Sequence, residues 1–379
     1  MTDQMLIIYI AGFIVCMGLA LCLTPLVKKF AIKIGATDVP NARKVHTKIM
    51  PRLGGLGIFL AFVLGLLAVL PFIPYDFTTR EANFIKALLS GGGLIVLLGG
   101  LDDRFELSAK VKLLGQIAAA CIVVFGFGIT VDFVNIPFNN TYSSLESWIA
   151  IPLTIFWIVG VTNAVNLIDG LDGLAAGVSG IAIATIAAMA FIMGNIMVAL
   201  LCLLLLGSIV GFLFFNFHPA KIFMGDAGSL FLGFSLALLA LLGFKQIAVV
   251  SFITPLLIIG VPLSDTFFAI VRRKLQKKPI FAPDKGHLHH CLRELGFSHR
   301  QTVLIIYGIA TFFGILAVIQ SSAALYEANW VTFVVICVML FFLQIGAEIT
   351  GLVGKTKRPL LNFILRMRMK LDPERSSKS

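Results

Sequence analysis

The chain has 379 residues, of which 59% are hydrophobic and only 13% are charged, and its formal net charge is +11. Soluble domains average about a quarter charged residues, so this composition excludes an ordinary water-soluble protein. The apolar residues fall in blocks of about 20, the length that crosses a bilayer core as a helix. A membrane β-barrel would alternate apolar and polar residues, whereas 94–98 and 201–206 are continuously apolar. We therefore predict an all-α, polytopic membrane helix bundle.

Taken in chain order, the apolar blocks predict eleven transmembrane helices, at 4–27, 52–72, 83–101, 113–130, 148–167, 174–193, 195–215, 228–244, 247–271, 302–321 and 329–351. They form one transmembrane catalytic domain, 1–351, followed by a basic tail, 352–379. Within that tail, the mixture of apolar and basic residues at 359–370 is typical of a helix that lies on the inner leaflet. Alternating apolar residues at 128–140 predict a short external β-hairpin.

Lys and Arg are distributed very unevenly between the two sides of this topology. With the N-terminus outside and the C-terminus in the cytoplasm, the internal segments hold 27 of the 30 basic residues. Cytoplasmic loops of membrane proteins carry such an excess, and it also attracts anionic lipid. The net charge therefore indicates a lipid bilayer and not a nucleic acid as the partner.

Acidic residues gather at the cytoplasmic ends of three predicted helices. Asp102 and Asp103 end the third, Asp169 and Asp172 end the fifth, and Asp226 precedes the eighth. Carboxylates at a membrane boundary are costly unless a cation, a proton or a metal compensates them. Mg²⁺ prefers oxygen ligands and often binds one or two carboxylates together with substrate phosphates. A plain helix N-cap is the alternative role for Asp226 alone.

The segment that ends the fifth helix places polar residues at a spacing of three. Asn163, Asn166, Asp169 and Asp172 follow one another in this way, and residues three apart share a helix face. Gly170 then allows the backbone to approach a ligand closely. Such amides also join membrane helices to one another, and this is the alternative to a ligand contact for the two Asn residues.

Imidazole and basic side chains complete the candidate site. His287, His289 and His290 are alternative metal ligands, although zinc prefers a tetrahedral Cys/His set, and we favour contacts with a phosphate or a sugar. Most basic residues are explained by the membrane orientation alone. Candidate contacts for anionic phosphates are those near the other motifs: His46, Arg52, Lys110, Lys112 and Arg293.

These features indicate phosphoryl transfer between a cytoplasmic phosphorylated substrate and a lipid phosphate. An ion-coupled transporter is the alternative from another class. Transporters place ionisable groups near mid-membrane and in broken helices. Here the acidic clusters lie at the inner helix ends, and only Asp265 and Glu348 fall within predicted helices.

At these motifs the chain resembles the polyprenyl-phosphate N-acetylhexosamine-1-phosphate transferases. The resemblance covers residues 24–350 and includes G-G-L-D-D-R, N-A-V-N-L-I-D-G-L-D-G-L-A and F-M-G-D-A-G-S-L. Seven motifs occur in the family's order, at 43–55, 99–104, 107–116, 163–175, 223–230, 262–266 and 283–290. The sequences P-R-L-G-G (51–55) and H-L-H-H (287–290) are similar to the N-acetylglucosamine branch. The muramoyl-pentapeptide branch of peptidoglycan synthesis is the alternative.

The resemblance implies transfer of N-acetylglucosamine-1-phosphate from UDP-N-acetylglucosamine to undecaprenyl phosphate, with release of UMP. It assigns Asp102 and Asp103 to catalysis or activation of the lipid phosphate, Asp226 to Mg²⁺, and the stretch ending in Asp169 and Asp172 to nucleotide and metal. It assigns the His cluster to the diphosphate or sugar. Mn²⁺ is an expected substitute for Mg²⁺, a homodimer is a further expectation, and the teichoic-acid linkage unit is the favoured pathway.

Overall fold

The computed structural model describes residues 3–38, 49–74, 77–131, 133–135, 142–245, 253–279, 284, 286–325, 328–352, 359 and 362. Within these residues the chain is almost wholly helical, which confirms the predicted class. The helices are α1 (Asp3–Ile34), α2 (Gly54–Val69), α3 (Thr79–Phe105), α4 (Ala109–Cys121), α5 (Ser147–Leu167), α6 (Leu174–Ile192), α7 (Ile196–Asn216), α8 (Gly225–Lys245), α9 (Ile253–Ile258), α10 (Gly260–Leu275), α11 (Leu288–Glu294), α12 (His299–Leu325) and α13 (Asn329–Ile349).

Nine helices of the described chain are long and apolar enough to cross a membrane. They correspond to the first seven and the last two predicted spans, with α2 extended by a 3-10 turn and α4 by a π-helical turn. The predicted eighth span corresponds to α8, whose apolar stretch Gly225–Leu241 is shorter. The chain is therefore an integral membrane protein.

The predicted ninth span, 247–271, is not one continuous helix in its described part. The helix α9 ends at Ile258, and α10 begins at Gly260. Pro262 has no N–H to donate to the carbonyl of Ile258, and in the first turn of α10 no such bond is required. A hydropathy pattern measures apolar length and does not detect this break.

The helix α8 lies at the centre of the bundle. Every residue from Ala227 to Ala240 is buried, and the helix packs against α2, α3, α5 and α6. A helix enclosed by other helices is apolar on all sides, which explains why α8 reads as an uninterrupted apolar block. The neighbouring helices therefore restrict the position of its first turn, which carries Asp226.

The start of α2, the end of α3 and the start of α8 approach so closely that only glycine fits between them. A Cβ on Gly55 would lie 1.9 Å from the backbone N of Gly228, and one on Gly99 would lie 2.4 Å from the backbone N of Ala227. The N–H of Gly55 donates to the carbonyl of Met224 at 2.8 Å. This packing brings the Asp pair at the end of α3 against the start of α8.

Two short antiparallel strand pairs accompany the helices. The pair β1 (Thr37–Asp38) and β2 (Met50–Pro51) joins the chain after α1 to the chain before α2. The pair β3 (Phe133–Asn135) and β4 (Tyr142–Ser144) confirms strand pairing between the fourth and fifth spans, but β4 lies beyond the predicted range 128–140. The helix predicted at 359–370 lies outside the described residues, apart from positions 359 and 362.

Candidate active site

Four separate elements bring charged side chains together at one end of the bundle. Asp102 and Asp103 come from α3, Lys112 from α4, and Asp226 from the first turn of α8. Arg52 comes from the residues between β2 and α2. Asp102 and Asp103 are buried, with exposed fractions of 6% and 4%.

Asp103 holds the start of α8. Its carboxylate accepts the backbone N–H groups of Asp226 at 2.9 Å and Ala227 at 3.1 Å. A carboxylate at a helix N-terminus satisfies free N–H groups and interacts favourably with the helix dipole. The first residue of α8, Gly225, has a φ of +72°, which glycine adopts without strain. The contacts of Asp103 are thus those of a residue that positions Asp226.

Arg52 is the second partner of Asp103, with its Nε 3.5 Å from the carboxylate. Burial alone would lower the pKa of the Arg52 guanidinium, but Asp103 and Asp226 raise it above its usual value. Arg52 also lies 3.9 Å from Asp38 of β1. Arg52 thus remains charged and links the strand pair to the carboxylates.

Lys112 lies between the other two carboxylates. Its Nζ is 3.1 Å from Asp102 Oδ2 and 2.9 Å from Asp226 Oδ2. The second oxygen of Asp102, Oδ1, is buried and has no hydrogen-bond partner among the described residues. A buried carboxylate oxygen without a partner is costly. Two carboxylates that already hold an ammonium, with Asp102 Oδ1 unpaired, fit a hard divalent cation such as Mg²⁺.

Asp169 lies just after α5, in the loop that faces this cluster. Desolvation by the surrounding protein, with the negative charge of Asp226, raises the pKa of Asp169 to about 7. A raised carboxyl pKa of this kind is common where a cation or substrate later binds. The charges of Asp169 and Asp226 therefore interact, although the two residues are far apart in sequence.

The two amides of the same motif make contacts between helices. Asn163 pairs with Gln116 of α4, and Asn166 donates to Ser229 of α8 at 2.8 Å. These contacts correspond to the alternative in which Asn residues join membrane helices. Both amides hold α5 in place beside the carboxylates.

Asp172 faces a different part of the loop region. Its Oδ2 lies 2.7 Å from His218 Nδ1 and accepts the N–H of Ala220 at 3.1 Å. The ring of His218 stacks on that of His299, with centroids 4.1 Å apart. Ligand atoms of the three side chains lie within 4.8 Å of one another, so this group also has the spacing for a metal ion. The sequence motifs did not single out His218 or His299.

Asp265, which the sequence analysis placed within a predicted helix, holds the first residue of the His cluster. Asp265 of α10 lies 2.9 Å from His287 Nδ1, and it accepts the N–H of Leu288 at 2.8 Å. Because Nδ1 is engaged by Asp265, the His287 ring is held in one orientation. Asp265 therefore acts on the site through His287.

His289 connects this cluster to the loop that carries Asp169. A Cβ on Gly170 would lie 2.4 Å from His289 Nε2, a buried atom without a hydrogen-bond partner among the described residues. Burial and the neighbouring His290 lower the pKa of His289 to about 3. His289 is thus neutral at physiological pH and suited to hydrogen bonding.

Several other predicted site residues do not contact the carboxylate cluster in the described part of the chain. Lys110 and Arg293 are exposed, and within the described chain neither forms an ion pair with the carboxylates. His290 is exposed beside His289. His46 lies outside the described residues. The buried Arg272, which the motifs did not indicate, binds Asp284 and so holds the segment before His287.

The Lys112–carboxylate cluster thus lies at the end of α3 and the start of α8 in an integral membrane helix bundle. The chain belongs to glycosyl transferase family 4, whose model matches residues 85–244. This confirms the resemblance found at the sequence motifs.

Relatives from three bacteria support that membership. The chain is 48% identical to the probable undecaprenyl-phosphate N-acetylglucosaminyl 1-phosphate transferase of Bacillus subtilis, over 97% of this chain and 99% of the relative. It is 36% identical to the decaprenyl-phosphate N-acetylglucosaminephosphotransferase of Mycobacterium tuberculosis, over 76% of each. It is 28% identical to the undecaprenyl-phosphate alpha-N-acetylglucosaminyl 1-phosphate transferase of Yersinia pestis, over 93% of this chain and 92% of the relative. The chain is therefore an enzyme of the transferase class.

Proposed function

We propose that this enzyme transfers N-acetylglucosamine-1-phosphate from UDP-N-acetylglucosamine to undecaprenyl phosphate, releasing UMP. The observation that carries the proposal is the pair Asp102 and Asp226, bridged by Lys112 at the end of α3 and the start of α8. The names of the relatives in Bacillus subtilis and Yersinia pestis supply the lipid and the sugar. Both names indicate the N-acetylglucosamine branch rather than the muramoyl-pentapeptide branch or a transporter.

The proposed cofactor is Mg²⁺, with Mn²⁺ as a substitute. Asp226 and Asp102 would hold it, with Asp169 as a further carboxylate in the same field. When bound, such an ion polarises phosphoryl oxygens and neutralises the charge that develops during transfer. All the offered donors are carboxylate oxygens, which suit Mg²⁺ better than zinc.

The chain's own residues would align two anionic substrates. An oxygen of the lipid phosphate attacks the phosphorus that carries the sugar, a new P–O bond forms, and the bond to the UMP oxygen breaks. A phosphate monoester is already an anionic nucleophile, so alignment and charge neutralisation are the main requirements. Lys112 and Arg52 supply positive charge beside the carboxylates. Asp102 would accept the last proton of the lipid phosphate or orient it.

We further propose that the enzyme lies in a bacterial plasma membrane, with this site on the cytoplasmic face. The excess of Lys and Arg in the predicted internal segments supports this orientation. A cytoplasmic nucleotide sugar would then reach a lipid phosphate without crossing the membrane. The reaction would start a cell-wall polymer, for which we favour the teichoic-acid linkage unit.

Release of UMP by the purified enzyme tests the proposal directly. Protein in detergent with Mg²⁺ and undecaprenyl phosphate is expected to release UMP from UDP-N-acetylglucosamine and not from UDP-N-acetylmuramoyl-pentapeptide. Chelation of the metal should stop the release, and added Mn²⁺ should restore it. The absence of UMP with every UDP-sugar would overturn the transferase proposal.

Replacing Asp265 with asparagine tests the control of the His cluster. Because Asp265 fixes the ring of His287, Asp265→Asn is expected to lower kcat/KM for UDP-N-acetylglucosamine about 10- to 100-fold. The KM for undecaprenyl phosphate should change little, and kinetics with each substrate varied in turn separate the two effects. If both KM values and the thermal unfolding midpoint shift together, Asp265 has only a structural role.

A further inference from the structure

The ammonium of Lys112 occupies the position between two carboxylates that come from distant parts of the chain. Asp102 and Asp226 belong to α3 and α8, and Lys112 Nζ lies within 3.1 Å of an oxygen of each. Among the described residues, no other Lys or Arg forms an ion pair with either carboxylate. Lys112 therefore offsets the repulsion between these two carboxylates.

This arrangement is incomplete at Asp102. The residue is 6% exposed, yet Oδ1 has no hydrogen-bond partner in the described part of the chain. Nearly all buried polar atoms in proteins do have one. The Lys112 side chain, in contrast, remains 27% exposed at the edge of the cluster. The cluster thus includes a buried oxygen, Asp102 Oδ1, that the ammonium does not contact, and part of the Lys112 side chain is open to solvent.

A lysine side chain can move away from a pair of carboxylates more easily than an arginine side chain can. Its charge is compact, and it stands on a flexible stem of four carbons. An ammonium and a divalent cation repel each other, so both cannot remain between the same two oxygens. Arginine, by comparison, would bind a carboxylate through a rigid planar fork.

We propose that Lys112 is a placeholder cation, an inference that rests on the metal-dependent function proposed above. Without metal, its ammonium holds Asp102 and Asp226 together. When a divalent cation binds these carboxylates, Lys112 swings out and becomes a donor to the phosphate oxygens of a substrate. The same side chain thereby couples loading of the metal to capture of the anionic substrate.

Metal affinity in the absence of substrates tests the competition. Binding of Mn²⁺ to purified protein is measured by electron paramagnetic resonance for the wild type, Lys112→Met and Lys112→Arg. Since Lys112→Met removes the competing charge, it is expected to bind Mn²⁺ about tenfold more tightly while losing turnover. Lys112→Arg keeps the charge and should bind Mn²⁺ no more tightly than the wild type. Unchanged or weaker binding by Lys112→Met would overturn the inference.

Lys110→Met is the matched control for this measurement. It removes the same charge from the same helix, but Lys110 is exposed and forms no ion pair with these carboxylates within the described chain. Its affinity for Mn²⁺ should stay within about twofold of the wild type, since exposed charges are well screened. If Lys110→Met gains as much affinity for Mn²⁺ as Lys112→Met, the effect comes from net charge, and the placeholder role is overturned.

Labelling of amines measures the movement itself. Acylation of lysines followed by peptide mass spectrometry is expected to show faster labelling of Lys112 after Mg²⁺ is added, with Lys110 unchanged. Equal labelling of Lys112 with and without Mg²⁺ contradicts the displacement. UMP release is measured on the same preparations. A wild type that releases UMP but fails these tests would retain the proposed function and lose the placeholder, whereas absence of both metal binding and UMP release would overturn both.

Discussion

Replacement of Asp226 by asparagine is expected to lower kcat about a thousandfold. Asp226 Oδ2 is one of the two oxygens that hold the Lys112 ammonium, and we propose that it holds the metal. A metal contributes several kcal/mol of charge stabilisation to the transition state, and about 1.4 kcal/mol corresponds to a tenfold change in rate. The amide of asparagine is a neutral and weaker ligand.

The fold should survive this replacement. Asp103 binds the backbone N–H of residue 226 and not its side chain, so the start of α8 stays in position. UMP release as a function of Mg²⁺ or Mn²⁺ concentration measures the effect, together with the thermal unfolding midpoint. Glu106→Gln is the matched control, because Glu106 is an exposed carboxylate at the end of the same helix as Asp102. Wild-type turnover and metal dependence in Asp226→Asn would exclude Asp226 from the metal site.

Hydropathy and charge patterns predict most of this fold because the bilayer imposes a length on each helix. The clearest departures occur where local geometry decides the outcome. The helix α1 continues to Ile34 through Lys28, Lys29 and Lys33, beyond the predicted end at residue 27, because a helix does not stop where its apolar block ends. The break between α9 and α10 falls at Ile259, inside an apolar block that hydropathy does not divide.

The candidate site is predicted in outline, since its motifs lie at the ends of helices. The individual pairings are not predictable from spacing because they join residues far apart in sequence. Lys112 and Asp226 are 114 positions apart, and Asp172 and His218 are 46 apart. Asp172 shares a spacing of three with Asp169, but the chain leaves the helical conformation after Ile168, so the two carboxylates no longer share a face.

Substitutions at two adjacent glycines of α3 test whether the close packing of α3 against α8 positions the site. Gly99→Ala is expected to destabilise the protein by about 1–3 kcal/mol, the usual cost of overpacking. A Cβ on Gly99 would lie 2.4 Å from the backbone N of Ala227 and 2.5 Å from the backbone carbon of Asp226. Backbone atoms cannot rotate away as a side chain can, so α3 and α8 must separate.

Gly100→Ala should have the opposite effect. Nothing lies within 4 Å of a Cβ on Gly100, and alanine favours a helix by up to about 1 kcal/mol over glycine. The thermal unfolding midpoint in one detergent should therefore fall for Gly99→Ala and stay level or rise for Gly100→Ala. Turnover separates the two more strongly, because a shift of about 1 Å in a reacting group costs about a hundredfold in rate. If Gly99→Ala keeps wild-type turnover, the contact between α3 and α8 does not set the position of Asp226. If both variants lose activity equally, the glycines act through helix flexibility and not through close packing.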